Sequence, residues 1–338
     1  MFSHVYPTSF YEVKASGSRK SGGYYLNFEP GSRIGVRDDR SMKKASMIII
    51  GFLTIAFAFL FLVPAFRGEI LLYPDYYLGP LRIHMYSLTF FIAVVAGFFW
   101  VRKNAENFGI NKAVAENLVF VNVIAGFLGA RVHHILSAWD FYSANLILIP
   151  QIWRGGLGIY GGIVGGILAT WIYCRVKKID FFAVADLCAP ALVLGQAIGR
   201  WGNFFNQEAY GLPTALPWKM FVTEQYRLTS FTDEKFFHPI FLYESLWALG
   251  VFLVLAYISK IIIPKTRSVI LGQEKMSFGQ VFGSYLILYS LGRFLIESLR
   301  ADKTLFFDFP ANQILALALI IIGLLITTRS AWKKKANQ

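Results

Sequence analysis

Charged side chains are scarce in this 338-residue chain: Asp, Glu, Lys and Arg make up 16% of it, against about 25% in ordinary soluble domains. That scarcity argues against a soluble fold. Cysteine is scarcer still, with only Cys174 and Cys188, both in apolar stretches, which excludes a disulfide-stapled secreted scaffold. Acidic residues are in the minority, 20 against 33 Lys and Arg, leaving a net charge of +13. Such a surplus can signal nucleic acid, but a mean hydropathy of +0.50 does not suit a basic nucleic-acid binder, so no nucleic-acid partner is expected. Internal repeats of the length that builds solenoids are lacking too. The remaining partner for a basic, apolar chain is the lipid bilayer.

Long apolar runs are what the chain does have. A spanning helix needs about 20 mostly apolar residues, and such runs lie near 47–66, 85–101, 117–135, 156–174, 182–198, 240–262, 278–297 and 311–327. The fold class that follows is an all-α integral membrane protein, a polytopic bundle of about seven to eight transmembrane helices. The run at 47–66 follows Lys43 and Lys44 but is too long for a signal-peptide core. No small-residue cleavage pattern precedes Arg67, so it reads as an additional span. Residues 1–46 are rich in Ser, Gly, Lys and Arg without period and read as a basic, poorly ordered extension, and 328–338 as a basic tail.

Orientation follows from the basic residues, which stay on the cytoplasmic side. They gather in the N-terminal extension, in Arg102, Lys103 and Lys112, in Arg175, Lys177 and Lys178, in Lys260, Lys265, Arg267 and Lys275, and in the C-terminal tail. Both ends are therefore expected in the cytoplasm, and the long 199–239 connection outside.

On that topology the polar residues of the spans collect at their outer ends: Tyr86, Arg131, Tyr160, Arg200, His238, Glu244, Tyr289, Arg293, Glu297 and Arg300. An unpaired Arg near mid-bilayer costs about 2.5–3.5 kcal/mol on insertion scales, so these ends should share a polar cavity open toward the outer leaflet. On a continued helix Tyr289, Arg293, Glu297 and Arg300 fall at about 0°, 40°, 80° and 20°, a narrow stripe with two cations. Asp186, Gln196 and Arg200 share another face, within about 80°. Interhelical ion pairs, such as Glu297 with Arg131 or Arg200, would satisfy a single arginine. Several arginines at one mouth point instead to a phosphate or other anion, because the guanidinium fork suits phosphate oxygens.

The densest local pattern is Gly199 to Gly211, Gly-Arg-Trp-Gly-Asn-Phe-Phe-Asn-Gln-Glu-Ala-Tyr-Gly. Physically it is a glycine-punctuated polar turn carrying Arg200, Asn203, Asn206 and Glu208 at the membrane surface. As a pattern it resembles the signature of the prolipoprotein diacylglyceryl transferase family. The glycine-rich stretch Trp153 to Gly166, the segment His238-Pro-Ile-Phe-Leu-Tyr-Glu244, and Tyr289 to Arg300 agree with the family in order, over roughly residues 82–327.

The resemblance implies an enzyme of the bacterial cytoplasmic membrane that moves the diacylglyceryl group of phosphatidylglycerol onto the lipobox cysteine of a prolipoprotein. Glycerol phosphate is the leaving group, the active site faces the outer leaflet, and no cofactor or metal is called for. Carried over by motif, Arg200 and Arg293 are the essential arginines, with Tyr86, Asn203, Asn206, Glu208, Gly211, Tyr289, Glu297 and Arg300 around the lipid and Arg131, His238 and Glu244 as further candidates. Two features depart from the family. Some members have a His where this chain has Tyr160, which leaves Tyr160, Glu208 or His238 as the base for the thiol. The family usually has seven spans, and 47–66 adds one.

Other patterns carry bland readings. Gly158, Gly162 and Gly166 read as a close helix-packing face, and His133 and His134, being adjacent, point to different faces and do not make a metal pair. Cys174 and Cys188 are apolar fillers. The alternative functions are a lipid-binding membrane protein without catalysis and a transporter. The nearly unbroken apolar inner halves of the last three spans oppose the transporter.

Overall fold

The computed structural model describes residues 25–26, 36–37, 39–270, 278–303, 305–306 and 309–336. Ten α-helices account for most of them: α1 (Asp39–Phe57), α2 (Val63–Arg67), α3 (Met85–Asn104), α4 (Lys112–Ser137), α5 (Trp139–Ala144), α6 (Ile159–Lys177), α7 (Phe181–Asn206), α8 (Ile240–Ile270), α9 (Gln280–Glu297) and α10 (Ala311–Ala336). The chain divides into two units, Met1–Pro64 and Ala65–Gln338. In the first, α1 starts at Asp39, so residues 39–46, expected in the poorly ordered extension, form its opening turns. Lysine and arginine there do not prevent a helix, because their propensity is nearly that of leucine. Apart from a short antiparallel pairing of Tyr25–Leu26 with Val36–Arg37, the rest of that extension lies outside the described residues. A π-helical turn, Ala58–Leu62, separates α1 from α2.

Seven helical segments among the described residues are long and apolar enough to cross a membrane: 45–67, 85–108, 112–137, 159–177, 181–206, 240–261 and 311–330. These match seven of the eight sequence runs. The eighth is α9, which has the length, 18 residues or about 27 Å at 1.5 Å per residue. It falls short in hydropathy because it carries Gln280, Ser284, Ser290, Arg293 and Glu297. It tolerates them because it packs among α7, α8 and α10.

In the second unit α7 is the central helix, packed against α3, α8 and α9, while α4 pairs with α6 and α9 with α10. Lipid tails are as apolar as leucine, so close packing and internal hydrogen bonds, rather than hydrophobic burial, hold such pairs together. Glycine supplies the close approach between α4 and α6: a Cβ on Gly129 would lie 3.1 Å from the Gly165 Cα, and one on Gly161 or Gly165 would strike the backbone of Gly129 or Ala125. Within the helix the tight pair is Gly161 and Gly165, one helical step from Gly162 and Gly166, while Gly158 of the face expected from the sequence is itself pressed on α4, where a Cβ would strike the His133 ring and its N–H donates to the Ala130 carbonyl. Gly162 and Gly166 meet α4 at ordinary separations of 3.4 Å and beyond.

The polar stripe of α7 becomes a set of rungs to α9, which runs parallel to it. Asp186, fully buried, accepts from the backbone N–H groups of Gly279 and Phe282, both at 2.8 Å, and so caps the start of α9. Gln196 donates to the Tyr285 hydroxyl at 2.9 Å. One turn further along, Arg200 lies against Tyr289. Asp180 caps α7 itself by accepting from the Ala183 N–H at 2.9 Å.

Candidate active site

The α7 helix stops at Gln207, whose left-handed backbone (φ 51°) lets its N–H return to the Phe204 carbonyl and the Glu208 N–H to that of Asn203. A non-glycine residue holds this conformation because its side chain is locked in place. The Gln207 amide donates to the Leu72 carbonyl at 2.8 Å and accepts from the Thr223 N–H at 2.7 Å. Ala209 is also left-handed (φ 53°), so Glu208 projects from a twice-turned corner. Its Oε1 accepts from both Asn203 (2.9 Å) and Asn206 (3.1 Å).

Gly211 has a backbone role. It pairs with Arg300 in an antiparallel bridge, while the Leu212 N–H donates to the Leu299 carbonyl at 2.8 Å. A Cβ at Gly211 would press on the His238 side chain and the Leu299 carbonyl. This bridge corrects the single-stripe reading of the last arginine. The α9 helix ends at Glu297, and Arg300 returns to the site through the turn that follows rather than along the helix face. Aromatic stacking fixes the opposite wall. Phe204 of α7 stacks on Phe241 of α8, centroids 4.5 Å apart, with Trp201 and Phe66 edge-on to Phe241.

Between these walls three arginines from different segments meet one carboxylate. Glu244, on α8 and 7% exposed, has Oε2 2.8 Å from Arg200 Nε, while its Oε1 accepts from Arg293 Nη1 and lies 3.7 Å from Arg300 Nη1. Glu297, fully buried, has Oε2 3.0 Å from Arg293 Nη2 and 4.0 Å from Arg300 Nε, and its Oε1 accepts from Asn312 at 2.9 Å. Asp302 takes Arg300 through two bonds, 3.0 and 2.7 Å. Three cations thus face three carboxylates, as burial requires. Asp302 and Asn312 escaped the sequence reading. Asp302 follows Arg300 by two residues and was the legible one.

Tyr86 completes the mouth. Its ring fits where α7 has Gly202, since a Cβ there would lie 2.7 Å from the ring, and Tyr289 meets the Arg200 side chain through a hydrogen bond. At the edge, the Tyr243 hydroxyl receives Trp218 Nε1–H at 2.7 Å and lies 3.2 Å from His238 Nδ1. Trp is a donor only, so the Tyr243 oxygen accepts that bond, and the tautomer of the imidazole decides which of Tyr243 and His238 donates in theirs. Burial pushes the His238 imidazole below its usual pKa, which favours the neutral ring.

Two expected residues are not brought to this cluster. Arg131 spends its donors on the carbonyls of Leu148, Ile149, Gly155 and Gly156, at 2.6 to 3.0 Å, and lies over the Tyr142 ring. It organises the loop between α5 and α6 through four of its carbonyls and is not one of the converging arginines. No hydrogen bond or ion pair joins Tyr160 to Arg200 or Arg293 among the described residues; it is 56% exposed, its ring beside His133 at the start of α6.

The family model for prolipoprotein diacylglyceryl transferases matches residues 76–329, a span that contains Tyr86, the three converging arginines and their carboxylate partners. The chain belongs to the prolipoprotein diacylglyceryl transferase family. Curated relatives named phosphatidylglycerol–prolipoprotein diacylglyceryl transferase include one from Thermotoga petrophila, 42% identical over 286 residues, covering 81% of this chain and 93% of the relative. One from Fervidobacterium nodosum is 38% identical over 289 residues, covering 83% and 94%. Another, from Staphylococcus haemolyticus, is 34% identical over 252 residues, covering 74% and 84%. The matched span begins after α1 and α2.

Proposed function

We propose that the protein transfers the diacylglyceryl group of phosphatidylglycerol to the lipobox cysteine of a bacterial prolipoprotein. The observation that carries this reading is the convergence of Arg200, Arg293 and Arg300 at one end of a helical bundle. In the reaction the thiol sulfur forms a bond to the glycerol carbon while the bond from that carbon to the phosphate oxygen breaks. The electron pair leaves on glycerol phosphate, and the thiol proton passes to a base. Charge grows on the departing phosphate oxygen, where preformed guanidinium donors in a low-dielectric site act most strongly. Tyr86, Tyr289 and the corner of Asn203, Asn206 and Glu208 surround the headgroup, and Gly211 holds the Arg300 turn in place. Mass spectrometry of a lipobox peptide incubated with the protein and phosphatidylglycerol tests the reading. The peptide gains one diacylglyceryl group, and a Cys→Ser peptide gains none; an unmodified cysteine peptide with lipid bound to the protein supports the non-catalytic alternative.

For the base, the same geometry favours Glu208 or His238 over Tyr160. Glu208 is held by two amides and His238 is a neutral imidazole whose one acceptor nitrogen is set by its tautomer, whereas Tyr160 stands apart from the arginines that would have to lower a phenol pKa by about three units. Tyr160 therefore positions substrate. Tyr160→Phe is expected to lose no more than one hydrogen bond, about 0.5–1.5 kcal/mol in transfer rate, with an unchanged pH profile. A loss of about 10²–10⁴-fold with a displaced limb, as a general base would give, assigns proton transfer to Tyr160.

The site end faces the outer leaflet of the cytoplasmic membrane in this reading, because the opposite end carries the basic turns at 102–112 and 175–178. Cysteines introduced at positions 20 and 335 are expected to react only with reagent supplied from the cytoplasm, and one placed in 212–235 only from outside. External labelling at position 20 would remove α1 as a span.

A further inference from the structure

The three arginines are neutralised by carboxylates of the chain itself. Arg200, Arg293 and Arg300 face Glu244, Glu297 and Asp302, so the charges cancel before any anion arrives. Adding a phosphodiester to that balanced set would leave a surplus negative charge in a buried place, which the low dielectric makes costly. One carboxylate has to give way.

The three are not equivalent. Glu297 is fully buried and tied to Asn312, and Asp302 holds Arg300 alone through two bonds. Glu244 is the one that bridges Arg200 and Arg293, one oxygen to each, as two oxygens of a phosphate would. Its hold on Arg200 is also incomplete: Oε2 lies 2.8 Å from Nε but receives no directed hydrogen bond, a condition Glu297 Oε2 shares, while Glu297 is anchored through its other oxygen by Asn312. We propose that Glu244 is a place-holder for the lipid phosphate: it occupies the bridge between Arg200 and Arg293 in the empty site, withdraws when the phosphodiester enters, and returns to expel glycerol phosphate. This rests on the phosphate reading of the arginine cluster above. It makes Glu244 a positioning residue that acts through the arginines and sets how tightly the substrate and the product are held.

The test uses the full chain in phosphatidylcholine nanodiscs, with glycerol phosphate as the probe and the thermal midpoint and Kd as readouts. Glu244→Gln is expected to unfold at a lower temperature without probe, because three arginines then face two carboxylates. It is expected to bind glycerol phosphate about tenfold or more tighter than wild type, and to gain more thermal stabilisation from it. With phosphatidylglycerol and a lipobox peptide, KM for the lipid should fall, and kcat should fall too, because product is expelled slowly. Glu244→Asp, whose shorter carboxylate keeps its charge but reaches less far, should lie between the two and serves if the Gln variant does not fold. Equal or weaker binding in Glu244→Gln, or in Glu244→Asp where only that variant folds, overturns the place-holder role. Arg200→Gln separates this from failure of the underlying reading: if wild type does not bind the probe, or Arg200→Gln binds it equally well, the phosphate site falls and the place-holder with it.

Discussion

Replacing Arg200 or Arg293 by Gln is expected to lower transfer by at least about 10²–10³-fold, the loss seen when one preorganised donor to a developing oxyanion is removed. The expectation rests on position. Both guanidinium groups flank Glu244, from α7 and α9, and Arg200 also meets Tyr289. Gln keeps hydrogen-bonding capacity without charge, so the fall measures the cation. The variants should still insert, since the packing of α7 rests on Asp186, Gln196 and its aromatic wall. Arg102→Gln is the control, because that side chain is exposed, pairs with Glu116 at 3.1 Å and sits at the opposite end of α3. Peptide transfer measured beside a detergent-resistant folding signal decides between loss of chemistry and loss of protein. Full activity in Arg200→Gln would sink the mechanism.

The second large effect concerns architecture. Gly161→Leu should destabilise the protein by about 3 kcal/mol, the upper end for overpacking, because a side chain there meets the Gly129 backbone and the His133 side chain. Helix separation is the only relief, and it would pull α6 and Tyr160 away from α4. Gly166→Leu should cost clearly less, since the nearest obstacle is the Asn122 amide oxygen at 3.4 Å, an ordinary contact distance. Thermal unfolding of both in the same detergent provides the comparison. Equal losses would place the close contact on the other face.

That pair of glycines shows where sequence reading stops. Glycines at 158, 161, 162, 165 and 166 satisfy four-residue spacing along two different faces, and only the partner helix selects between them. The spans were legible because apolar runs of membrane length have few other uses. Even α9, too polar for a hydropathy criterion, was visible as a run between basic turns. The converging arginines were legible as polar residues at helix ends. What joins them was not. Glu244 gathers arginines from α7, α9 and the turn beyond α9, a relation among segments about 45 to 55 residues apart that leaves no periodic trace. Arg131 looked like another member because it shares their depth, yet its partners are backbone carbonyls of an irregular loop, which any sequence can supply. Arg300 fitted the helical stripe by arithmetic, but the helix ends three residues before it and the Gly211 bridge restores its place.

The central claim is transfer by cleavage of the carbon–oxygen bond of phosphatidylglycerol at a phosphate held by arginines, and its most direct test is an isotope. Phosphatidylglycerol carrying ¹⁸O in the oxygen that bridges the diacylglycerol carbon and phosphorus is supplied with the protein and a lipobox peptide, and both products are weighed by mass spectrometry. The account predicts that all the label leaves in glycerol phosphate, in equal amount to the modified peptide, and that the peptide carries an unlabelled diacylglyceryl thioether. Label retained on the diacylglyceryl product, or glycerol phosphate released without a modified peptide, would contradict it.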